Sequence, residues 1–297
     1  MLLNKKIPLS YLLNKIKLEL LYVSIVAFIV YYLTYKFKSA LPIMPLVIPT
    51  FIGTAISILL SFKLSQSYER WWEARKIWGA IVKDSRNFIM QIQTLIGKGN
   101  DKMIKKIAYR QIAMCYSLGQ YTRGISATEN LEALLSEKEL LELNYHYNKP
   151  LALLQMHGID ILNLKENKQL DQFVQIQLDN TLLGLSDSMS SIERIKNTVF
   201  PVTYRLLLQY MIYLFVVTLS ISLSDTEIYF EIPLLLLISA AFFILEKSAT
   251  YMQDPFCNKP TDTPVTTIAR EIELNIKQLL GEKDIPQIIP PKSFYLL

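Results

Sequence analysis

Thr54, Ile58 and Phe62 recur at steps of four, so on a helix they stack along one face. In a single copy such a stripe is core or lipid contact. Around an axis shared by several copies it becomes a set of stacked apolar rings, and a narrow apolar ring gates ions by dewetting. Neither reading involves making or breaking a bond. The sequence offers an enzyme little else: there is no phosphate-cradling glycine loop, no H-E-x-x-H and no G-x-S-x-G. Acidic pairs such as Glu137/Glu139 fall in helical stretches and read as a solvated face. Cys115 and Cys257 lie far apart, without a metal-ligand partner at zinc spacing, and support no disulfide framework. His146 and His157 read as surface or interface residues. No catalytic residue, metal site or cofactor is expected.

The stripe sits in an apolar run from Pro42 to Phe62 that has three prolines at its start and no charge. About 20 apolar residues at 1.5 Å each cross ~30 Å of hydrocarbon. The run passes directly into the polar, Trp-rich stretch Lys63 to Trp78, so one helix is expected to leave lipid for water. Composition agrees: hydrophobic types make up 51% of the 297 residues and mean hydropathy is +0.25, high for a soluble domain. Charged residues, at 19%, are too many for a chain embedded throughout. The net charge of +5 comes from scattered lysines rather than a basic stripe, so no nucleic-acid partner is expected.

Four apolar segments are legible: Leu20 to Tyr35, Leu41 to Phe62, Leu206 to Leu223, and Ile228 to Leu245. The first is short for a span, and the last is interrupted by Glu231 and Pro233, with Glu231 expected to snorkel to water from the outer end. The N-terminus, with Lys5, Lys6, Lys15 and Lys17 as its flank, reads as an uncleaved anchor rather than a signal peptide. Lysines and arginines also gather after segment two (Lys63, Arg70, Arg75, Lys76) and before segment three (Arg194, Lys196, Arg205). The links within each pair of segments are poorer in them, with Lys36 and Lys38 in one and only Asp225 and Glu227 as charges in the other. The positive-inside rule then places both termini and the long middle region in the cytoplasm. The expected organisation is 1–62 for the N-terminal segment and two membrane helices, 63–205 for a cytosolic helical region, 206–245 for a membrane hairpin, and 246–297 for a cytosolic helix and tail.

The middle region is helical in pattern. Ile104, Ile107, Ala108, Ile112 and Cys115 share one face. Leu170, Phe173, Val174, Leu178, Leu182, Leu185, Met189 and Ile192 predict a long amphipathic helix. Ser136-x-x-Glu139 reads as a capping box, and Thr266 to Gly281 as a further helix closed by glycine.

Ser61-Phe-Lys-Leu-Ser-Gln-Ser-Tyr-Glu-Arg-Trp-Trp-Glu-Ala-Arg-Lys-Ile-Trp-Gly79, followed by Ser85-Arg86-Asn87, resembles the signature stretch of bestrophins. Leu178-Asp-Asn180 and Asp254-Pro255-Phe256 match as well, and the resemblance runs over about residues 5 to 283. It implies an all-α, four-span protein with a large cytosolic helical region, assembled as a homo-pentamer around a central pore in the cell inner (plasma) membrane. It implies passive conduction of small monovalent ions, chloride or other anions. Its partners would be copies of itself, the bilayer and the permeant ions. The neck positions of the family fall on Thr54, Ile58 and Phe62, and the lower constriction on Phe173. Thr54 departs from the bulky apolar residues of the family neck. The neck carries no charge, so a monovalent-cation channel of the same fold is the alternative, and a membrane-anchored sensor or enzyme the more distant one. The dense acidic run that clasps calcium in animal members is replaced here by Cys257-Asn-Lys-Pro-Thr-Asp262, as in the bacterial branch.

Overall fold

The computed structural model describes residues 1, 7–37, 44–96, 99–224, 226–288, 290 and 294–296. Lys5, Lys6, Lys38, Leu41, Pro42 and Asp225, read above as flank, span or link residues, lie outside them. The regular elements described are nine α-helices. They fall into two compact units. One comprises Lys5–Arg70 and Val199–Asp254, and the other Met1–Asn4, Trp71–Thr198 and Pro255–Leu297.

The first, apolar unit holds α1 (Leu9–Lys36), the N-terminal part of α2 (Val47–Leu95), α7 (Val202–Ser222) and α8 (Ile228–Gln253). These are the four described helices long and apolar enough to cross a membrane. The 49 residues of α2 form one uninterrupted helix, about 70 Å long at 1.5 Å per residue. Pro49 lies in its first turn, where a missing N–H leaves nothing unpaired. In lipid the drive to pack comes from close fit rather than from water. Gly53 supplies such a fit, since a Cβ there would lie 3.1 Å from the Phe215 ring of α7. Tyr204 Oη donates to Leu59 O at 2.9 Å and ties the same two helices.

Two expectations for the spans are corrected. The first span is not short: α1 starts at Leu9 and runs 28 residues. Lys15, read as part of a flank, lies inside it with Glu19. They are accommodated because α8 offers partners, Lys247 at 2.6 Å from Glu19 and the Tyr251 ring at 3.8 Å from Lys15 Nζ. Nor is α8 interrupted. Pro233 sits in its second turn, where it forfeits a single backbone bond, and the helix continues through it.

The second, polar unit holds the rest of α2 with α3 (Asp101–Arg123), α4 (Glu137–Leu143), α5 (Lys149–Glu166), α6 (Gln172–Asn197) and α9 (Val265–Leu279). Its core joins Trp78, Ile81 and Phe88 of α2 to Ile112 of α3, Leu153 of α5 and Ile272 of α9, all fully buried. Each side chain so buried contributes about 1.5–3 kcal/mol relative to exposure. The expected faces pack in large part: Ile107, Ala108, Ile112 and Cys115 of α3 are buried, as are Leu178, Leu185, Met189 and Ile192 of α6, whereas Phe173, expected on the same α6 face, is exposed. The capping box at the start of α4 is complete, with Ser136 Oγ accepting from Glu139 N and the Glu139 carboxylate accepting from Ser136 N. Gly281 follows the end of α9 at φ +72°, a conformation that favours glycine.

Candidate pore-lining surface

The first half of α2 has two faces. Ile56, Leu60 and Lys63 are buried against the apolar unit. Turned away from them are Phe51, Thr54, Ile58 and Phe62, all exposed, with Ile58 at 53% and Phe62 at 62%. The spacing predicted this common face, and the structure places the three candidate residues on it together. None of them belongs to the core of the unit, so their truncation leaves that core intact.

Thr54 is less polar than its type suggests. Its hydroxyl donates to Thr50 O at 2.9 Å, one turn back. Thr50 and Ser57 do the same to Leu46 O and Gly53 O. Such back-bonding ties each hydroxyl proton to the helix.

Phe173, the candidate for a lower constriction, belongs to the polar unit. It is the second residue of α6, 81% exposed, and its backbone N–H is held by the Asp171 carboxylate at 3.2 Å. Ile176 and Leu183 are exposed further along α6. Leu170, just before the helix, turns inward and is buried.

Several charged residues sit where the sequence did not place them. Lys63, read as a flanking positive charge, is fully buried. Its Nζ donates to Glu246 Oε1 at 2.8 Å and to Thr250 Oγ1 at 2.9 Å, both on α8. Glu231 does not snorkel: it is 1% exposed and accepts from Ser220 Oγ of α7 at 2.6 Å. A neutral partner on the neighbouring helix holds it inside the unit. His157 is no surface residue either. It is fully buried in the polar unit with its ring edge-on to Phe88, centroids 5.1 Å apart. One turn along α5, Asp160 pairs with Arg110 and Lys106 of α3. No local pattern marked these residues, because their partners are remote in sequence.

The tryptophans divide by role. Trp78 is core. Trp71 donates through Nε1 to Thr261 O at 3.0 Å and stacks on Trp72, which is exposed. Glu73 pairs with Arg194 of α6 at 2.8 Å.

Thr261 belongs to the stretch Cys257-Asn-Lys-Pro-Thr-Asp262. Asn258 takes φ +61°, and Asp262, fully buried, accepts from Lys259 N through Oδ2 at 3.0 Å. Burial pushes the Asp262 carboxyl up, against the opposing pull of the Lys259 N–H and charge. The one acidic residue of the stretch therefore closes a turn instead of facing a cation, and Lys259 adds a like charge. A hard divalent ion wants six to eight oxygens, several of them carboxylate. Among the described residues no group of three or more His, Cys, Asp or Glu is placed to hold a metal. Ion flux from liposomes is accordingly expected to be the same in chelator and in micromolar calcium. Strong activation by calcium would mean that ligands come from elsewhere in the chain.

Comparison with known proteins follows the same lines. The profile of a family described as Bacterial/Fungal Bestrophin protein matches residues 7–278. The "Voltage-dependent anion channel-forming protein YneE" of Salmonella typhi is 29% identical over 247 residues, covering 82% of this chain and 80% of that protein. Its namesake in Escherichia coli K12 is also 29% identical, covering 83% and 80%. Among solved structures, a bacterial bestrophin homologue from Klebsiella pneumoniae superposes with a TM-score of 0.83 at 26% identity, covering 90% of this chain and 99% of that one.

Proposed function

The chain belongs to the bacterial and fungal bestrophin family, whose members are ion channels rather than enzymes, and from that membership we propose that it conducts small anions, chloride among them, as a homo-pentamer. The channel sits in the inner membrane with both termini in the cytoplasm, as the positive-inside rule requires. Residues 63–205 and 246–297 supply the cytosolic part. Thr54, Ile58 and Phe62 form the rings of an apolar neck, and Phe173 a separate constriction.

The observation that carries this reading is the uncovered face of α2. A span that shows Phe51, Ile58 and Phe62 outward on one side and buries Ile56 and Lys63 on the other has a side reserved for something outside its own unit. Around an axis that face encloses a path in which ions shed part of their water. The names of the relatives support the anion. The rings carry no charge, so the sign of the ion is set by charges elsewhere along the path. The polar unit also leaves Leu151, Ile159 and Leu162 of α5 and Ile176 and Leu183 of α6 exposed, apolar side chains available to neighbouring copies.

Reconstitution into liposomes with chloride and sodium flux measured separately tests the function. Chloride flux above that of empty vesicles is expected, and sodium flux alone would establish the cation-selective alternative. Mass measurement in detergent tests the assembly. Five copies are expected, because four spans enclose no pore alone, and a stable monomer or dimer would refute the pentamer.

A further inference from the structure

Lys63 follows Phe62 directly and points the other way. It is fully buried, Glu246 is fully buried with it, and the two are joined at 2.8 Å. Thr250 completes a triangle, accepting from Lys63 Nζ at 2.9 Å and lying 2.9 Å from the same Glu246 oxygen. A buried pair of this kind is a poor source of stability, since desolvation offsets most of the attraction. Its placement is the informative part. A cation is held one residue from the lower candidate ring of a path for ions, and its counter-charge comes from another helix 183 residues away.

We propose that Glu246 is a specificity-determining residue of the channel: by neutralising Lys63 it keeps the Phe62 ring free of a net positive field. The proposal rests on the reading of α2 as pore-lining and deepens it. A helix with its side chains is about 10–12 Å across, so the Lys63 ammonium, on the far side of α2, lies somewhat more than that distance from an ion at the ring. Lys63 is fully buried, away from the water that would screen it most. With Glu246 ionised, the pair presents only a short dipole. With Glu246 replaced by a neutral residue, each subunit adds one uncompensated positive charge beside the neck, and the five act together. Anions are then favoured and cations repelled at the narrowest point. Lys63 and Glu246 touch no permeant ion; they act through the field at the ring.

The test compares chloride-to-sodium permeability ratios, from reversal potentials under a salt gradient, for the parent, Glu246→Gln, and Lys63→Met/Glu246→Gln. Glutamine keeps the shape of the glutamate and its hydrogen bonds to Lys63 and Thr250. Glu246→Gln is expected to raise the ratio several-fold, and adding Lys63→Met to return it to the parent value. A merely structural role would alter yield or melting, not a ratio that one further neutralisation restores. An unchanged ratio in Glu246→Gln, or a shift that survives the double change, overturns the proposal. If Glu246→Gln does not assemble, Lys63→Met, which leaves Glu246 without its counter-charge, is the mirror experiment. A shift toward sodium supports the proposal, and no shift or the opposite one overturns it. Phe62→Ala recorded in parallel separates the two levels: if it alters the currents while the ratios above stay fixed, the pore assignment stands and the role of Glu246 falls.

Discussion

Phe62→Ala is expected to raise unitary conductance several-fold and to weaken discrimination among permeant ions, with Ile58→Ala raising conductance by a smaller factor. Both side chains are more than half exposed in the unit that carries them. Truncating them opens no cavity, so the cost of core mutations, about 2–5 kcal/mol for a buried Ile or Leu, does not apply. Assembly should survive, and the change should appear in the currents. The physical reason is the width of a ring. An apolar constriction that is narrow enough expels water, and an ion passing it loses hydration that no side chain replaces. Removing the phenyl groups widens the ring and lets ions keep more of their shell, so the barrier falls and the differences between ions shrink. Ile58 is smaller and loses less on truncation. The neighbouring buried residues are the control: Ile56→Ala and Leu60→Ala attack the packing face of the same helix and should reduce yield without this signature. Planar-bilayer recordings decide the matter. Unchanged single-channel currents in both Phe62→Ala and Ile58→Ala would refute the pore-lining assignment.

What the sequence made legible follows from range. A helix repeats locally, so Leu178, Leu185, Met189 and Ile192 declared the buried face of α6. The capping box at Ser136 and the glycine after α9 are likewise matters of three or four residues. Position along the chain showed the continuity of α2 from apolar to polar sequence. Periodicity gave the Thr54, Ile58, Phe62 stripe, but a stripe reads alike whether lipid, core or water faces it, and only the resemblance favoured a pore. Apart from Pro233, which α8 runs through, the misreadings concern charge. Lys63, Glu231 and His157 carry polar groups that local pattern assigns to solvent. Each is instead inside a unit, held by a group such as Glu246, Ser220 or Phe88 that no short window includes. The start of α1 was misplaced for the same reason, since the partners of Lys15 and Glu19 lie on α8.

The Arg110 cluster of the polar unit shows how much such hidden charge matters. Arg110, 2% exposed, donates to Glu139 through Nε and Nη2 and to Asp160 through Nη1. It thereby joins α3 to the capping residue of α4 and to α5. Arg110→Ala leaves two largely buried carboxylates without their main partner, and breaking a buried pair from one side costs about 3–5 kcal/mol. Thermal unfolding in detergent should drop accordingly. The same cluster sets a response to acid. Burial, reinforced by the charges of Arg110 and Lys106, holds the His157 imidazole well below the usual histidine range. The fold therefore favours the neutral ring. That contribution is complete above the unfolded value of about 6.5 and is lost as pH falls below it, because the unfolded chain takes up the proton first. Burial pushes the Glu139 carboxyl up, but hydrogen bonds from Ser136 and Arg110 outweigh this and hold it low. Its contribution is complete above about 4.3, the unfolded value, and is lost as pH falls through the lower folded one. The parent should accordingly lose stability in two stages, the first between pH 7 and 5. His157→Leu should remove most of the first stage and leave the second, which begins below about pH 4.3. If the slope from pH 7 to 5 is the same with and without the imidazole, His157 is not the group that senses acid.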